Sequence, residues 1–386
     1  MKHFETKAIR LQLERSQEKE HSVPIFPTSS FVFSDADEMR MAFTEEIEAN
    51  IYSRYSNPSV REFENKMAAL ENTESAIATA SGMSAVFATF ACFLSQGDHV
   101  LLSQAVFGST IKLFENFFTK WGVSFDLVKS SNVEDWVSRF KPSTRLVYLE
   151  TPSNPALDIF DLRAFAALAK NHGALLIVDN CFATPYLQNP IRLGADIVIH
   201  SATKYIDGQG RVLGGLIAGR KDLITQIIPF MRNAGPTLSP FNAWILSKSL
   251  ETLAVRMDRH CQNALQLAQY LESKSQILYV KYPFLPSHPG CDIAKSQMKE
   301  GGGIVAFELK GGLEAGKKMI DQVTMLSISP NLGDTRSIIT HPASSTHSKL
   351  TRQQREDVGI TDGLIRVSVG MEHIDDIIAD IEQAIG

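Results

Sequence analysis

Short apolar runs recur along the first part of the chain and alternate with segments whose apolar residues fall at helical spacing. Such runs, bounded by polar or glycine-containing stretches, are typical of buried strands, and the spacing between them predicts helices. The predicted strands are residues 76–80, 99–102, 124–128, 145–149, 174–178 and 197–200, and the predicted helices include residues 59–70, 111–120 and 162–171. Repeated β-α-β units predict an α/β fold with a mostly parallel sheet that is covered on both faces.

The apolar run at residues 213–218 follows closely on the glycine-containing turn at residues 207–210. Parallel strands need a crossover of a dozen or more residues, and this turn is too short to supply one. We therefore expect residues 213–218 to join the sheet as an antiparallel strand.

A long helical pattern over residues 240–270 leads into a second group of apolar runs. Its predicted strands are residues 277–281, 303–309, 323–328 and 364–369, followed by an amphipathic helix at residues 374–385. The pattern predicts a large domain over residues 57–245 and a smaller C-terminal α+β domain over residues 246–386.

Residues 1–56 have weak periodicity and contain Pro24 and Pro27, and they finish in a segment that includes Tyr52 and Arg54. A segment with so few periodic apolar residues predicts an extended arm and not a domain. Because such an arm has little core of its own, we expect it to lie on a neighbouring subunit.

Composition narrows the class of protein. The chain has 386 residues, 44% of them hydrophobic, and a net charge of -5, with no cluster of Lys and Arg, so a small-molecule partner is favoured over nucleic acid. The four cysteines are far apart and form no C-x-x-C motif, so we expect reduced core thiols, no disulfide framework and no metal site. The first 20 residues lack an apolar signal segment, and no apolar run approaches membrane-spanning length, which predicts a cytoplasmic protein without membrane contact.

The strongest chemical signal is a lysine at the end of a buried strand. The apolar run at residues 195–199 leads into the sequence HSATKY, in which Lys204 follows Ser201 and Thr203. An ammonium at the edge of a core strand pays a desolvation cost, which a lowered pKa or a covalent aldehyde partner relieves. Pyridoxal phosphate is such an aldehyde, and the two hydroxyls could hold its phosphate. The alternative is a surface lysine that happens to follow a strand.

Other strand ends carry matching chemistry. Gly82 and Met83 follow the first strand and open a helix, whose free N–H groups favour an anion, although Ser81 could be an ordinary helix cap. Asn154 lies in a proline-bracketed turn after the fourth strand, and a turn alone would also explain it. Asp179 ends the fifth strand as a buried carboxylate that needs a proton-bearing partner, such as a protonated pyridine nitrogen. A structural cap or a metal ligand is the alternative for Asp179.

These motifs together resemble the pyridoxal-phosphate enzymes of the Cys/Met metabolism family, which have the fold-type-I architecture. The resemblance runs from the Tyr52 and Arg54 segment, through the sequence SATKY at residues 201–205, to the sequence LIRVSVG at residues 364–370. It implies a pyridoxal-phosphate transferase and a homo-oligomer, a tetramer built from dimers whose active sites are shared between subunits.

The resemblance also implies a role for each matching residue. Lys204 would be the Schiff-base lysine and catalytic base, Asp179 the partner of the pyridine nitrogen, and Asn154 the residue facing the phenolic oxygen of the cofactor. The residues implied in phosphate binding are Gly82, Met83, Ser201 and Thr203, with Tyr52 and Arg54 from an adjacent subunit. Arg366, with Asn331 nearby, would bind the substrate α-carboxylate, whereas a surface ion pair is the alternative for Arg366.

Two positions depart from the commonest family pattern. Phe107 stands where a ring-stacking tyrosine is usual, so stacking is kept while any role of a phenol hydroxyl is lost. Asn331 stands where a serine is common. Both changes resemble the O-succinylhomoserine sulfhydrylase branch, and Ser109, where methionine γ-lyases usually carry cysteine, disfavours that activity.

The resemblance implies a γ-replacement in which sulfide displaces the acyl group of an O-acylhomoserine. Arg211, in a glycine-flanked loop after the lysine, could bind the terminal carboxylate of a succinyl ester, or it could pair with Asp207. Cystathionine γ-synthase, which uses cysteine, and O-acetylhomoserine sulfhydrylase are the alternative activities. A cofactor-binding regulator without turnover is a further alternative, but the chain has no appended basic helix-turn-helix segment.

Overall fold

The computed structural model describes residues 2–386, and its larger β-sheet has seven strands. These strands are β1 Ser75–Thr79, β2 His99–Ser103, β3 Ser124–Val128, β4 Thr144–Glu150, β5 Leu175–Asp179, β6 Ile197–Ser201 and β7 Gly215–Gly219. Their order across the sheet is β1-β7-β6-β5-β4-β2-β3, in which β2 to β6 pair in parallel and β7 pairs antiparallel with both β1 and β6. The predicted parallel sheet and its antiparallel addition are both confirmed.

Helices cover both faces of this sheet, as the apolar runs require. Within residues 2–386 the helices are α1 Phe4–Arg10, α2 Ala36–Phe43, α3 Pro58–Glu71, α4 Gly82–Phe93, α5 Gly108–Asn116, α6 Glu134–Val137, α7 Leu162–Asn171, α8 Thr184–Leu187, α9 Lys221–Ala234, α10 Pro240–Leu250, α11 Leu253–Glu272, α12 Cys291–Gln297, α13 Gly312–Gln322, α14 Arg352–Asp357 and α15 Ile374–Ile385. Short 3-10 helices lie at Phe118–Trp121, Pro190–Leu193 and Pro342–Ser344. In β5, Ile177 belongs to the core that contains Phe90, while its neighbour Val178 belongs to the core that contains Phe165. Both faces are therefore buried.

A second sheet of five strands forms the smaller C-terminal α+β unit. Its strands are β8 Ile277–Lys281, β9 Ile304–Leu309, β10 Ser327–Ile328, β11 Ile338–Thr340 and β12 Leu364–Ser368. They lie in the order β10-β11-β12-β9-β8, and every pair is antiparallel except β10 with β11. Apolar residues of α11 and α15 pack with this sheet in one core cluster.

The predicted strand at residues 323–328 is mostly wrong, because only its last two residues pair with a strand. The carboxylate of Asp380 in α15 accepts the backbone N–H groups of Thr324, Met325 and Leu326 at 2.8, 3.0 and 2.9 Å. A backbone whose donors point to a helix side chain cannot also pair along a sheet.

The long helical pattern at residues 240–270 is two helices, since α10 ends at Leu250 and α11 begins at Leu253. The predicted domain boundary at residues 245 and 246 therefore falls inside α10, and the division into three segments stays a prediction. No helix within residues 2–386 has both the length and the apolar character needed to cross a membrane.

The first 56 residues are less extended than the sequence suggests. They contain α1 and α2, and α1 packs on α3 of the same chain through the buried residue Ala8 and a 3.1 Å bond from the Lys7 ammonium to the Ala69 carbonyl. A seven-residue helix is too short to show clear periodicity, which is why the sequence pattern did not predict α1.

The smaller unit contacts the larger one at the segment that carries Lys204. Gly333 lies so close to this segment that an added Cβ would be 2.6 Å from the backbone nitrogen of Tyr205. The guanidinium of Arg256 in α11 donates to the carbonyls of Tyr205 and Ile206 at 2.6 and 3.2 Å. Two residues from later in the chain, Gly333 and Arg256, thus fix the backbone around Lys204.

We predict that Gly333→Ala destabilises the protein more than Gly173→Ala. Both glycines have a left-handed backbone, with φ of 77° and 68°, but a Cβ at Gly173 would meet nothing within 4 Å. Gly173→Ala should cost roughly 1 kcal/mol from conformation alone, and Gly333→Ala about 1 to 3 kcal/mol more from overpacking. Denaturant unfolding of both variants measures this, and equal losses would contradict the close contact.

Candidate active site

The carboxyl ends of three neighbouring strands bring polar residues to one edge of the larger sheet. Glu150 ends β4, Asp179 ends β5 and Ser201 ends β6, and Glu150 and Asp179 are directly paired across the two strands. Lys204 follows three residues after Ser201. Ligands of open parallel sheets bind beyond the carboxyl ends of the strands. Three of the predicted site residues, Asp179, Ser201 and Lys204, therefore lie where a ligand would bind.

Lys204 is partly buried, and burial lowers the pKa of its ammonium, which the nearby positive charge of Arg366 lowers further. Its Nζ donates a 2.5 Å hydrogen bond to Oδ1 of Asn331. A lowered pKa gives a larger share of neutral amine, which is the form that acts as a nucleophile or a base.

Asp179 is partly exposed at the sheet edge and accepts two hydrogen bonds. The backbone N–H of Cys181 donates to Oδ1 at 2.9 Å, and the Tyr148 hydroxyl donates to Oδ2 at 3.4 Å. Burial raises the pKa of Asp179, and these two bonds and His200 oppose that rise. Such a carboxylate is suited to a cationic ligand atom, which would return its pKa to the ordinary range.

The first turn of α4 and the end of β6 form a narrow cradle. A Cβ on Gly82 would lie 2.7 Å from Cβ of Ser201, so only glycine allows this approach. Ser81 caps α4 by accepting the Ser84 N–H at 3.1 Å, and the N–H groups of Gly82 and Met83 belong to the helix turn that has no internal partners. Backbone donors beside the Ser201 hydroxyl suit a phosphate.

Thr203 lies in the same segment, but its hydroxyl is engaged with the backbone. Its Oγ1 accepts the N–H of Gly214 at 3.1 Å and lies 3.3 Å from the Gly214 carbonyl, to which it donates. The hydroxyl proton is therefore in use, and one lone pair of the oxygen is left for a further donor.

Arg366 in β12 is a buried cation, with 5% of its surface exposed, whose partners are all neutral oxygens. Its guanidinium donates to Oδ1 of Asn154 at 3.0 Å and to the carbonyls of Pro330 and Asn331 at 3.0 and 2.9 Å. Its Nε has no hydrogen-bond partner within residues 2–386, and no carboxylate there lies within 4.0 Å. Burial lowers the pKa of Arg366 to about 10. A buried guanidinium without a counter-ion suits the carboxylate of a ligand.

Phe107 is 47% exposed and stands at the start of α5, and its backbone N–H donates to Oε2 of Glu150 at 2.8 Å. The amide of Asn154 uses its oxygen on Arg366, which leaves the nitrogen end for a ligand acceptor. Glu150 was not among the predicted site residues, although it follows a predicted buried strand just as Asp179 does.

Tyr52 and Arg54 do not join this cluster within one chain. The Arg54 guanidinium lies 4.9 Å from the ring centre of Tyr55 and 5.5 Å from that of Tyr52. No hydrogen bond within residues 2–386 links either Tyr52 or Arg54 to Gly82, Ser201 or Lys204, so their phosphate role stays a prediction that needs a second chain.

Arg211 pairs with Asp207, which was the alternative to binding a succinyl carboxylate. Its Nε donates to Oδ1 of Asp207 at 3.0 Å, its backbone N–H to Oδ2 at 2.7 Å, and its Nη2 to the Ser249 hydroxyl at 2.5 Å. The side chain of Asp207 is fully buried, which makes the pair part of the loop structure. The contacts of Arg211 thus give no support to a substrate role.

The chemistry of the cluster fits pyridoxal phosphate. A lysine amine of lowered pKa, a strand-end carboxylate and a cradle of N–H groups provide for the aldehyde, the ring nitrogen and the phosphate. The close approach of Gly82 to Ser201 and the unpartnered Nε of Arg366 are the two observations that ordinary packing does not require.

Comparison with known proteins agrees with this fit. Residues 5–386 match the family model described as Cys/Met metabolism PLP-dependent enzyme. The chain is 49% identical over 382 residues to O-succinylhomoserine sulfhydrylase of Pseudomonas aeruginosa, covering 99% of this chain and 95% of that protein. It is 46% identical over 367 residues to L-methionine gamma-lyase of Fusobacterium nucleatum subsp. polymorphum, covering 94% and 93%.

A solved structure from Campylobacter jejuni subsp. jejuni, which contains N'-pyridoxyl-lysine-5'-monophosphate, superimposes with a TM-score of 0.94 at 33% identity and 99% coverage of both chains. The fold is therefore the fold-type-I architecture. The chain belongs to the Cys/Met metabolism family of PLP-dependent enzymes and uses pyridoxal 5'-phosphate as its cofactor.

Proposed function

We propose that the protein is an O-succinylhomoserine sulfhydrylase, which converts O-succinylhomoserine and sulfide into homocysteine and succinate in methionine biosynthesis. The observation that carries an amino-acid substrate is the position of Asn331 between two functional groups. Its side-chain oxygen holds the Lys204 amine at 2.5 Å, and its main-chain oxygen holds the Arg366 guanidinium at 2.9 Å. A base and a carboxylate-binding cation fixed to one residue suit the Cα proton and the α-carboxylate of one amino acid.

The choice of a succinyl ester and sulfide as the substrates rests on similarity to known proteins. The sulfhydrylase of Pseudomonas aeruginosa shares 49% of its residues with this chain over nearly the whole length. Phe107 and Asn331, at the two positions that depart from the common family pattern, point to the same branch. Arg211 adds nothing to this choice, because Asp207 holds its guanidinium.

In this proposal each residue has a defined task. Pyridoxal phosphate, when bound, supplies an electron sink for negative charge that develops on the substrate Cα. Asp179 stabilises positive charge at the ring nitrogen, and Phe107 offers its exposed ring for stacking. Gly82 and Met83 donate backbone N–H groups to the phosphate, beside Ser201. Asn154 directs its amide nitrogen to the phenolic oxygen.

Lys204 carries the proton traffic. Its neutral amine removes the Cα proton, would pass that proton to the bound cofactor, and so regains the neutral form in which it removes a Cβ proton. The succinyloxy group then leaves Cγ with the bonding electrons as succinate. Sulfide adds to Cγ, and Lys204 returns protons to Cβ and Cα to give homocysteine. Phe107 has no hydroxyl, so we assign no proton transfer to the stacking residue. Arg366 holds the α-carboxylate through all of these steps.

A second candidate is a γ-lyase activity, because an L-methionine gamma-lyase is 46% identical to this chain. Ser109, in the first turn of α5, argues against it, because those enzymes usually carry cysteine there. Cystathionine γ-synthase and O-acetylhomoserine sulfhydrylase differ from the proposal only in the nucleophile or the acyl group, and they stay as alternatives.

We also propose that the enzyme works as a homotetramer built from two dimers, with Tyr52 and Arg54 completing the phosphate site of a neighbouring subunit. The single chain supports this, because the guanidinium of Arg54 lies over the rings of Tyr52 and Tyr55 and makes no hydrogen bond to the cradle at Gly82 within residues 2–386. A cytoplasmic location without nucleic-acid or membrane partners stays a prediction.

Product analysis tests the proposed reaction. Purified holoenzyme is offered O-succinylhomoserine with equal sulfide and cysteine, and separately O-acetylhomoserine with sulfide, and L-methionine alone. We expect homocysteine from the succinyl ester as the main product, and no product from Lys204→Ala. Cystathionine as the main product would assign the synthase, a preference for the acetyl ester the acetyl enzyme, and thiol release from methionine the lyase.

Substitution of Arg211 tests its part in ester choice. Because Asp207 and Ser249 hold its side chain, we expect Arg211→Ala to lower kcat/KM for the succinyl and acetyl esters by the same factor. Arg336→Ala is the matched control, since Arg336 pairs with Asp334 nearby and is 67% exposed. A loss of about tenfold or more for the succinyl ester alone would restore the carboxylate-binding role.

Subunit mixing tests the shared site. Inactive Arg54→Ala and Lys204→Ala chains, exchanged into mixed oligomers, should regain part of the activity, because some sites then receive both native residues. Lys204→Ala mixed with Arg366→Ala is the matched control and should regain nothing, since both residues serve the same site from one chain. Recovery equal in the two mixtures, or absent from verified mixed oligomers, would refute sharing through Arg54.

A further inference from the structure

Glu150 is a buried acid at the centre of the site for which the proposed reaction provides no task. It ends β4, has 5% of its surface exposed, and is paired in register with Asp179 on β5. Residues paired directly across two neighbouring strands project their side chains from the same face of a sheet. Two carboxyl groups thus lie side by side at the sheet edge.

The hydrogen bond of the Glu150 side chain connects it to the cofactor-stacking residue. Its Oε2 accepts the backbone N–H of Phe107 at 2.8 Å, which fixes the start of α5. The exposed ring of Phe107 takes its direction from that backbone. Glu150 therefore acts on the position of Phe107 through the backbone of Phe107.

Every charged or titratable group around Glu150 has another partner or task. The groups that interact with Glu150 are Tyr148 on β4, Asp179 and Cys181 at the end of β5, and Arg366 on β12, and the next groups are His200 beside Asp179 and Lys204 beside Cys181. Arg366 makes no ion pair with Glu150 within 4.0 Å and is assigned to the substrate carboxylate. Lys204 works as a neutral amine, and His200 pairs with Glu71.

A count of charges in the working site leaves Glu150 without a counter-ion. The charge of Asp179 balances the ring nitrogen, and the charge of Arg366 balances the substrate carboxylate. An ionised Glu150 would be a buried negative charge next to that of the partly exposed Asp179, and when two carboxyl groups share a site the pKa of one of them is strongly raised. Burial first, and the charge of Asp179 second, hold the pKa of Glu150 well above its ordinary range, against the opposing effects of the Phe107 N–H and Arg366.

We propose that Glu150 is protonated in the working enzyme and is a positioning residue, which as a neutral carboxyl group holds the backbone of Phe107 and leaves Asp179 as the one ionised acid of the pair. The inference rests on the roles proposed for Asp179 and Phe107, and it does not depend on the acyl group or the nucleophile. It follows that glutamine, which is neutral and keeps an acceptor oxygen at the same distance, can replace much of what alanine loses.

Infrared difference spectroscopy of the holoenzyme at neutral pH tests the protonation. We expect Glu150→Gln to remove one protonated-carboxyl C=O band from the wild-type spectrum, and Glu308→Gln, at a buried acid in the other sheet, to leave that band in place. A spectrum in which Glu150→Gln removes an ionised-carboxylate band instead would overturn the proposal.

Cofactor affinity tests the positioning. The apparent Kd for pyridoxal phosphate should rise at least tenfold in Glu150→Ala. The Kd of Glu150→Gln should be at least threefold lower than that of Glu150→Ala. A glutamine variant no better than alanine would refute the positioning role. Circular dichroism checks that the alanine variant is folded, and the infrared arm does not depend on that variant.

Asp179→Asn separates this inference from the proposed function. If Asp179→Asn keeps native cofactor affinity and turnover, the proposed role of Asp179 fails, and so does the charge pairing on which Glu150 depends. If Asp179→Asn loses cofactor affinity and turnover while Glu150→Gln keeps the protonated-carboxyl C=O band, the proposed function stands and the inference about Glu150 is wrong.

Discussion

The confinement of several charges to one partly buried sheet edge is the constraint on which the rest of the structure depends. Four residues meet at this edge: Glu150 and Asp179 at the ends of β4 and β5, Lys204 just after β6, and Arg366 within β12 of the second sheet. Strands in a sheet are about 5 Å apart, and two like charges at that distance repel by about 3 kcal/mol at an effective dielectric constant of 20. The site therefore has to set the protonation state of each group by its surroundings, and neutral oxygens surround the cation that must stay free for a substrate.

The second sheet is needed because the first cannot supply that cation or hold the base. Arg366 comes from β12, and the loop at residues 330–335 brings Asn331 to Lys204. Gly333 allows this loop to touch the backbone of Tyr205, and Arg256 holds the carbonyls on the other side. The separation of Lys204 and Arg366 is thus fixed by packing between the two units, and the proposed site needs a folded C-terminal unit.

Likeness to known proteins determines the cofactor but not the reaction. A sulfhydrylase and a γ-lyase are 49% and 46% identical to this chain, so the two similarities are too close to each other to separate the two reactions. The steps that differ occur at Cγ of the substrate, away from these groups. The proposed choice of the sulfhydrylase reaction therefore rests on smaller features, namely the residue types at Phe107, Ser109 and Asn331.

The sequence by itself determined the parallel sheet, its antiparallel strand and the edge at which the chemistry lies, because the two periodicities and the strand-end rule are local properties. Lys204 and Asp179 were identifiable for the same reason: a charged residue that ends an apolar run has few structural explanations. The sequence overestimated the strand at residues 323–328, since it could not show that Asp380, more than 50 residues away, takes those backbone donors.

Only the tertiary structure decided what each charged side chain contacts. It placed Arg211 on Asp207, left Nε of Arg366 without a partner, and set Glu150 beside Asp179 with Phe107 as its donor. These contacts join residues from 4 to 43 positions apart, and a hydrogen bond depends on distances of a few tenths of an ångström that no pattern of residue types encodes.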